Sequence, residues 1–397
     1  MKQYLIAGLA LSTLLGGSTA LADHRPGNVV VMGGTVSLTG RYVEPSGRIH
    51  NGQKLYVEEL NAGGGLLGHK VELKFYDDKS DKRTAIELYQ KLITEDKVDL
   101  VLGPYSSYLT DTVANVMERY KRPFVSPGAS ATVIWQRGRK YVFSNPFVIA
   151  QDRQKGALLL AAQIGVKRIA VIGEGSVFPR QATEGVMRWA KKLRLKVVLL
   201  ESYRKGQTDF TAVLQRMKAS GAEAIFSNGY YNDTVAQIRQ LRELDINVKM
   251  FAATVGPAVA KFVKELGSTA EFVVGSSQWE PKLVLGYPGM KGFIENYEKR
   301  YGVTPNYHAS GGYSAIQIFV AAVKKAGSFD PEKIREALAS ITVQTVRGRW
   351  KANGKGLSNI EPLTIQIQNG KRVIVSPAHQ SEAKFLPMPK WEDRAKK

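Results

Sequence analysis

The 397-residue sequence contains no cysteine, which excludes disulfide bonds, thiolate metal sites, cysteine nucleophiles and attachment of a lipid through cysteine. Histidine is scarce as well, and the five present show no spacing typical of metal ligands. Acidic residues are outnumbered: 35 Asp and Glu stand against 56 Lys and Arg, giving a formal net charge of +21. The remaining composition, 44% hydrophobic and 23% charged, is typical of a folded globular chain.

The N-terminal segment has the three parts of a secretory signal peptide. A short basic start (1–4) precedes an apolar stretch (5–15) and the small-residue cleavage pattern Ala20-Leu21-Ala22. This stretch is too short to span a bilayer, and no later segment reaches about 18 apolar residues, so no membrane-spanning helix is expected. We expect residues 1–22 to be removed on export to a periplasm. Asp23 stands where a bacterial lipoprotein carries cysteine, so the exported chain is expected to be unlipidated.

The excess of positive charge does not predict nucleic-acid binding. The basic residues occur in short, scattered groups such as Lys167-Arg168 and Lys324-Lys325, and none forms a long basic arm. No zinc-finger or RNA-recognition pattern accompanies them. We interpret them as solvated basic faces, with loose attraction to an anionic membrane or an acidic permease surface as the alternative, and expect no nucleic-acid partner.

Strand and helix patterns alternate through most of the chain in two series of similar size. The first covers about residues 28–143 and the second about 151–274; three longer helices follow over 291–340, then a single strand over 345–350 and two strands over 363–375. Two such series predict two doubly wound, Rossmann-like α/β lobes with parallel sheets. Ligands bind such sheets beyond the carboxyl ends of the strands, so functional residues are expected in the strand-to-helix loops.

Motifs for cofactor binding and catalysis are missing. The glycine-rich segment 63–68 matches G-x-G-x-x-G, but it follows a predicted helix and precedes a strand, the reverse of the dinucleotide-binding order, so we interpret it as a helix stop. No phosphate-binding loop, nucleophile elbow or H-E-x-x-H zinc motif is present. His308 is interpreted as a residue at the start of a helix or on the surface rather than as a base. We expect no cofactor, no metal and no enzymatic activity.

Two neighbouring strand-to-helix loops are rich in small hydroxyl residues. One covers residues 102–107 and the other residues 125–130. Glycine lets the backbone approach a ligand, and serine hydroxyls with exposed N–H groups at helix N-termini suit a carboxylate or another anion. N-capping alone explains each loop separately. Two adjacent loops of this kind in an exported chain favour an anion site.

These loops belong to a longer series of segments that resembles the type I periplasmic binding proteins of ABC transporters, in the leucine/isoleucine/valine-binding branch. The segments are, in chain order, Ser37-Leu38-Thr39-Gly40, Asn51-Gly52, Asn61-Ala62-Gly63-Gly64, Leu102-Gly103-Pro104-Tyr105-Ser106-Ser107, Ser126-Pro127-Gly128-Ala129-Ser130, Gln136-Arg137-Gly138, Asp209-Phe210, Asn228-Gly229-Tyr230-Tyr231 and Gly312-Tyr313-Ser314-Ala315. The resemblance covers the whole chain after the signal peptide. It implies two lobes that close over a ligand and a hinge of three crossovers.

The resemblance also implies where the lobes begin and end. Lobe 1 is expected to comprise residues 23–146 plus 278–345, and lobe 2 residues 147–277 plus 346–378. Residues 379–397 are left as a C-terminal tail.

A carboxylate site is implied on the first lobe. In this sequence, the positions similar to the family's carboxylate-binding residues are Ser107, the backbone of Gly128 and Ala129, and the hydroxyl and N–H of Ser130. Charge-assisted hydrogen bonds of this kind contribute about 1.5–3 kcal/mol each. A few of them with apolar burial reach the roughly −8 kcal/mol of a micromolar binder.

Aromatic residues are implied around the same ligand. Phe178 lies where the family has a stacking aromatic, with core packing as the alternative, and Tyr230 lies where a tyrosine closes over the ligand. Tyr42 and Tyr105 lie in first-lobe loops and are expected to wall the pocket. Trp279, near a predicted hinge, is expected to serve either packing or the pocket.

One position departs from the family pattern. Amino-acid-binding members usually hold the ligand's ammonium with a carboxylate in the loop after strand 249–252, and here that position is Thr254. A buried ammonium without a counter-charge is costly. Either Glu174 substitutes, or the ligand is a neutral-tailed or aromatic carboxylate that lacks the ammonium.

The sequence therefore predicts a monomeric periplasmic solute-binding protein of a branched-chain-amino-acid-type ABC importer. It captures a small carboxylate-bearing ligand, an amino acid or an aromatic or other organic acid, and delivers it to a membrane permease. A ligand sensor of the same fold that signals to a membrane receptor is the alternative. An exported α/β enzyme would need a catalytic constellation that the sequence does not show.

Overall fold

The computed structural model describes residues 29–283 and 287–394, so the predicted signal peptide lies outside the described residues. The strands are β1 (Val29–Val36), β2 (Lys70–Asp77), β3 (Leu100–Val101), β4 (Phe124–Ser126), β5 (Val142–Ser144), β6 (Arg168–Glu174), β7 (Lys196–Tyr203), β8 (Ala224–Asn228), β9 (Met250–Ala253), β10 (Val274–Ser277), β11 (Val343–Thr345), β12 (Gly348–Trp350), β13 (Leu363–Gln368) and β14 (Lys371–Ser376).

The α-helices are α1 (Val43–Ala62), α2 (Lys82–Thr94), α3 (Ser107–Tyr120), α4 (Val133–Gln136), α5 (Lys155–Gln163), α6 (Val177–Lys192), α7 (Thr211–Ala219), α8 (Tyr231–Glu243), α9 (Ala260–Leu266), α10 (Met290–Tyr301), α11 (Tyr307–Ala326), α12 (Pro331–Ser340) and α13 (Trp391–Arg394). Short 3-10 helices are Ala150–Asp152, Gly267–Ala270, Pro281–Leu283 and Ala378–Gln380. None of the helices in the described residues is long and apolar enough to cross a membrane.

The first layer of strands is parallel and short. β1 pairs with β2 along its full length and with the two-residue β3 on its other side, while β4 and β5 form a separate parallel pair. Helices α11 and α12 bury apolar side chains against this layer, among them Phe319 and Leu338 in one core cluster with Val30 and Met32. The chain therefore returns to the first layer after β10.

The second layer is a seven-stranded mixed sheet with the order β14-β13-β10-β9-β8-β6-β7. The strands from β6 to β10 run parallel, whereas β13 pairs antiparallel with β10 and with β14. The prediction of purely parallel sheets is wrong here. β13 and β14 are joined by the two-residue turn Asn369-Gly370, in which both residues have positive φ, and such a turn connects antiparallel neighbours.

Helices α1 and α11 approach each other through glycine. A Cβ on Gly52 would lie 2.1 Å from the carbonyl oxygen of Ala309, and one on Gly312 would lie 2.0 Å from that of Ile49. Only glycine permits this backbone contact at either position. The close packing holds the N-terminus of α11 against the first layer, facing the second.

The segment 345–350 forms a hairpin rather than the predicted single strand. β11 and β12 pair antiparallel around Val346 and Arg347. The Thr345 hydroxyl accepts the N–H of Arg347 and donates to the carbonyl of Gly348, which closes the turn. Trp279 is buried and its indole N–H donates to the Val346 carbonyl at 2.9 Å, so it packs on this hairpin rather than in a pocket.

Candidate ligand-binding cleft

A narrow cavity lies between the two layers. It leaves about 260 Å³ unfilled by protein atoms, including space open to solvent. It is lined by Tyr105, Ser106, Ser107, Gly128, Ser130, Arg153, Phe178, Tyr230, Val255, Gln278, Tyr307 and His308. Several of these residues follow the carboxyl ends of β3, β4, β6, β8 and β9. Strand-to-helix loops of both layers thus meet at one place, as the sequence predicts.

Two serines on the first-layer side, Ser107 and Ser126, are bonded to the backbone. The Ser107 Oγ accepts the N–H groups of Ser130 at 2.9 Å and of Ala131 at 3.1 Å, and the Ser126 Oγ accepts the N–H of Ala129 at 3.3 Å. The N–H of Ser130, predicted to meet the ligand, is therefore bonded within the protein. A hydroxyl that accepts still has its own hydrogen to donate, so Ser107 retains a donor for an anion.

The structure places some of the residues predicted to bind a carboxylate in the cavity lining and one outside it. Gly128 and Ser130 line the cavity together with Ser107, whereas Ala129 is buried beside them outside the lining. A Cβ on Gly128 would lie 2.8 Å from the Tyr105 ring, so this close approach requires glycine.

Aromatic rings from both layers meet across the cleft. Tyr42 precedes α1 and Tyr230 precedes α8, and their ring centroids lie 5.0 Å apart. Tyr105 lies 5.5 Å from Tyr42, and Phe178 lies 5.8 Å from Tyr230. Burial raises the pKa of Tyr42, Tyr105 and Tyr230, so their hydroxyls stay protonated. Tyr105, Phe178 and Tyr230 line the cavity, and Tyr42 packs behind them.

Arg41, Glu174 and Asp233 form an ion-pair cluster beside the cavity, here called the Arg41 cluster. Arg41 Nη2 lies 3.0 Å from Asp233 Oδ2, and Nη1 lies 3.6 Å from Glu174 Oε1. The guanidinium carbon also lies 4.5 Å from the centroid of the Tyr230 ring. Glu174 is only 2% exposed, lies outside the cavity lining, and accepts a hydrogen bond from the Ser176 hydroxyl. The carboxylate proposed from sequence as an ammonium partner is thus paired with the protein's own cation.

Asp233 is committed to several donors at once. Besides Arg41, it accepts the Tyr203 hydroxyl at 3.0 Å and the N–H of Tyr230 at 2.9 Å. Burial raises the pKa of Asp233, although Arg41 and these hydrogen bonds act in the opposite direction. The Arg41 cluster therefore joins the loop after β1 to the end of β6 and the first turn of α8.

Arg153 is the second arginine of the cleft, and its surroundings are different. It follows the 3-10 helix Ala150–Asp152 and is 2% exposed. Its Nη2 donates to the Thr254 carbonyl at 3.2 Å and to the Tyr307 hydroxyl at 3.3 Å. Its Nε and Nη1 have no hydrogen-bond partner among the residues that the structure describes. A buried guanidinium with unpaired N–H groups lines the cavity.

Two further side chains near Arg153, those of Arg347 and His308, carry no negative charge. Arg347 is buried and donates to the carbonyls of Pro146 and Tyr307; burial and the nearby Arg153 lower its pKa to about 9. Burial, Arg153 and Arg347 lower the pKa of His308 well below its usual range, so the ring is neutral. His308 lies in the first turn of α11, as one of the two predicted placements has it, but it is buried rather than on the surface.

Thr254 has a structural position. Its hydroxyl accepts the N–H of Gly229 and donates to the Gly229 carbonyl, both at 3.1 Å. It is fully buried, and its neighbour Val255, not Thr254 itself, lines the cavity. Thr254 thus links two loops and offers its carbonyl to Arg153, with no carboxylate at this position.

Sequence reasoning missed Arg41, Arg153, Tyr307 and His308 as cleft residues. Arg41 stands beside the predicted Tyr42, so a search for cations in the strand-to-helix loops would have found it. Arg153 lies on a crossover rather than in such a loop, and no motif spacing marks it.

Two α/β layers that face each other across a buried cleft are the architecture of a two-lobed binding protein. A sequence profile described as periplasmic binding protein matches residues 29–370, so the chain belongs to that family. An amino acid binding protein of Pseudomonas aeruginosa is 28% identical over 361 residues, which cover 88% of this chain and 92% of the relative. The family consists of solute-binding proteins rather than enzymes.

Solved structures show the same fold. The leucine binding protein LivK of Thermotoga maritima matches with a TM-score of 0.80 and 24% identity, covering 87% of this chain and 98% of that one. A solute binding protein of an ABC transporter from R. palustris, solved in complex with benzoate, matches with a TM-score of 0.77 and 19% identity, covering 90% and 99%. The predicted type I fold of two α/β lobes is confirmed.

Proposed function

We propose that this chain is the periplasmic substrate-binding protein of a branched-chain-amino-acid-type ABC importer. It captures a small carboxylate-bearing ligand between two lobes and delivers it to a membrane permease. Family membership supports the class. The main support for a carboxylate on the ligand is Arg153, a buried guanidinium in the cavity lining whose Nε and Nη1 have no partner among the described residues.

Capture uses groups on both sides of the cavity. Ser107 and Ser130 offer hydroxyls from the first layer, while Arg153, Phe178 and Tyr230 face them from the second. Because these groups belong to different layers, all of them reach a ligand only when the lobes are closed. The ligand therefore shifts the open–closed equilibrium by its differential affinity for the closed state.

The moving units follow the expected boundaries, 23–146 plus 278–345 and 147–277 plus 346–378, except at the third crossover. Trp350 is buried in the core of the first layer, and its indole N–H donates to the Ser144 carbonyl at 2.7 Å. This contact favours a third crossover after β12, a few residues later than the sequence suggests. The exported chain acts as a monomer, without residues 1–22.

A binding experiment tests the capture. The chain without residues 1–22 is unfolded, dialysed to remove bound compounds, refolded and titrated calorimetrically with benzoate, leucine and related acids. We expect one ligand per chain, recovered chemically unchanged, and a smaller radius of gyration by small-angle X-ray scattering on binding. Chemical conversion of the bound compound would contradict the proposal.

Transport is tested separately from binding. A strain that lacks this chain should lose uptake of the labelled ligand, and the full-length chain should restore it. Unchanged uptake with loss of a ligand response would favour the alternative, a sensor that signals to a membrane receptor.

A further inference from the structure

We propose that the ligand is an organic anion without an ammonium group, and that Arg153 binds its carboxylate. This inference rests on the proposed function and specifies the substrate class of the same cleft.

The first step is the inventory of acids. No Asp or Glu lines the cavity as the structure describes it. Of the buried acids near it, Glu174 and Asp233 already contact Arg41, which also covers the face of the Tyr230 ring. Glu280, near Tyr307, lies 3.7 Å from Arg372. The protein's own guanidinium thus occupies the surroundings that would suit an ammonium. An amino acid in this cleft would bury its ammonium without a counter-charge, and that is costly.

The second step is the state of Arg153. The rings of Phe178 and Tyr307 lie 5.8 and 5.2 Å from its guanidinium carbon, and no ion pair to an acid is formed by it within residues 29–283 and 287–394. A buried cation needs a partner. Arg347, a second buried cation, increases the local excess of positive charge. A ligand carboxylate supplies the missing acceptor and the missing negative charge together.

The third step concerns the body of the ligand. Apart from the serines and Arg153, the lining is dominated by the rings of Tyr105, Phe178, Tyr230 and Tyr307. Such walls suit a planar or apolar body. The chemical class is therefore a monocarboxylate with an aromatic or branched apolar body.

Matched ligand pairs test the class with the refolded chain. In the pairs 3-phenylpropanoate and phenylalanine, and 4-methylpentanoate and leucine, the members differ by one ammonium group. We expect the member without the ammonium to bind at least roughly tenfold more tightly in whichever pair binds, since one uncompensated charged group costs at least this much. Equal or tighter binding of the amino acid would overturn the inference and leave the proposed function intact. If neither pair nor benzoate binds detectably at millimolar concentration, carboxylate capture is contradicted, and with it the proposed function.

Variants test the role of Arg153. Arg153→Met should weaken binding of the preferred acid by roughly 10- to 100-fold, because a charge-assisted bond is lost. Arg83→Met, an exposed arginine on α2 outside the cleft, is the matched control and should bind as the unchanged chain does.

A neutral ligand separates contact from structural damage. The unchanged chain should prefer 3-phenylpropanoate over 3-phenylpropanamide, and Arg153→Met should lose that preference. A variant that keeps the full preference for the acid would overturn the assignment. Should Arg153→Met fail to fold, the matched pairs on the unchanged chain still decide the substrate class.

Discussion

Two arginines at the same cleft differ in whether an acid of the protein neutralises them. Arg41, in the loop after β1, contacts Glu174 at the end of β6 and Asp233 in the first turn of α8. Arg153 donates hydrogen bonds only to a carbonyl and a hydroxyl and forms no ion pair in the described part of the chain, while unpaired N–H groups remain on both arginines.

The difference separates self-contained structure from a site. Where the protein neutralises its own charge, removal of one partner should cost stability. Where it leaves a buried charge unpaired, removal should cost ligand binding instead. The predictions below test this distinction, beginning with the largest effect.

Arg41→Met should remove the ion pairs of the Arg41 cluster and destabilise the fold. Glu174 and Asp233 would remain buried without a cation, and loss of one partner of a buried ion pair costs about 3–5 kcal/mol. We expect a fall in the free energy of unfolding of about this size, measured by urea titration of the ligand-free chain. The double variant Arg41→Met/Asp233→Asn should recover part of the loss. A change below about 1 kcal/mol would mean that the Arg41 cluster contributes little.

Ser107 and Ser106 offer the same comparison between adjacent serines. Ser107→Ala leaves the buried N–H groups of Ser130 and Ala131 without their acceptor, and we expect a loss of about 2 kcal/mol in unfolding free energy. The Ser106 Oγ has no hydrogen-bond partner among the described residues. Ser106→Ala removes no hydrogen bond within the described residues and should therefore cost less than Ser107→Ala. Equal losses in the two variants would contradict the distinction.

Ser130→Ala should act on affinity more than on stability. Its N–H, bonded to Ser107, is kept, while the hydroxyl facing the cavity is removed. We expect binding of the preferred acid to weaken by about 1 kcal/mol, roughly fivefold, by calorimetry. Unchanged affinity would remove the Ser130 hydroxyl from the site.

A small change in stability is expected at Arg153. Arg153→Met loses two long hydrogen bonds but also relieves the repulsion with Arg347, so the two effects oppose each other. We expect the free energy of unfolding to change by less than about 1 kcal/mol in the urea assay used for Arg41→Met. A loss as large as that of Arg41→Met would show that Arg153 is structural.

Local signals explain why the fold was predictable. Asp81, a residue type that favours helix starts, accepts the N–H groups of Arg83 and Thr84 before α2, and the glycines after Ala62 end α1. The hairpin at 345–350 was missed because its turn depends on a bond to the Thr345 hydroxyl and on a bond from Trp279, which is distant in sequence.

The site was predictable only in part, because its key contacts are distant in sequence. Ser107 and Ser130 followed from loops with small hydroxyl residues, and both line the cavity. The Arg41 contact with Asp233 joins residues 192 positions apart, and the Arg153 contact with Thr254 joins residues 101 apart. No local pattern predicts which of two arginines finds acids and which does not.

A crystal structure of the loaded chain tests the central claim most directly. We predict that a carboxylate oxygen of the ligand lies within hydrogen-bonding distance of Arg153 Nε or Nη1, with Arg41 still bound to Glu174 and Asp233. A ligand whose ammonium has displaced Arg41 from these acids, with Arg153 left unpaired, would contradict the account.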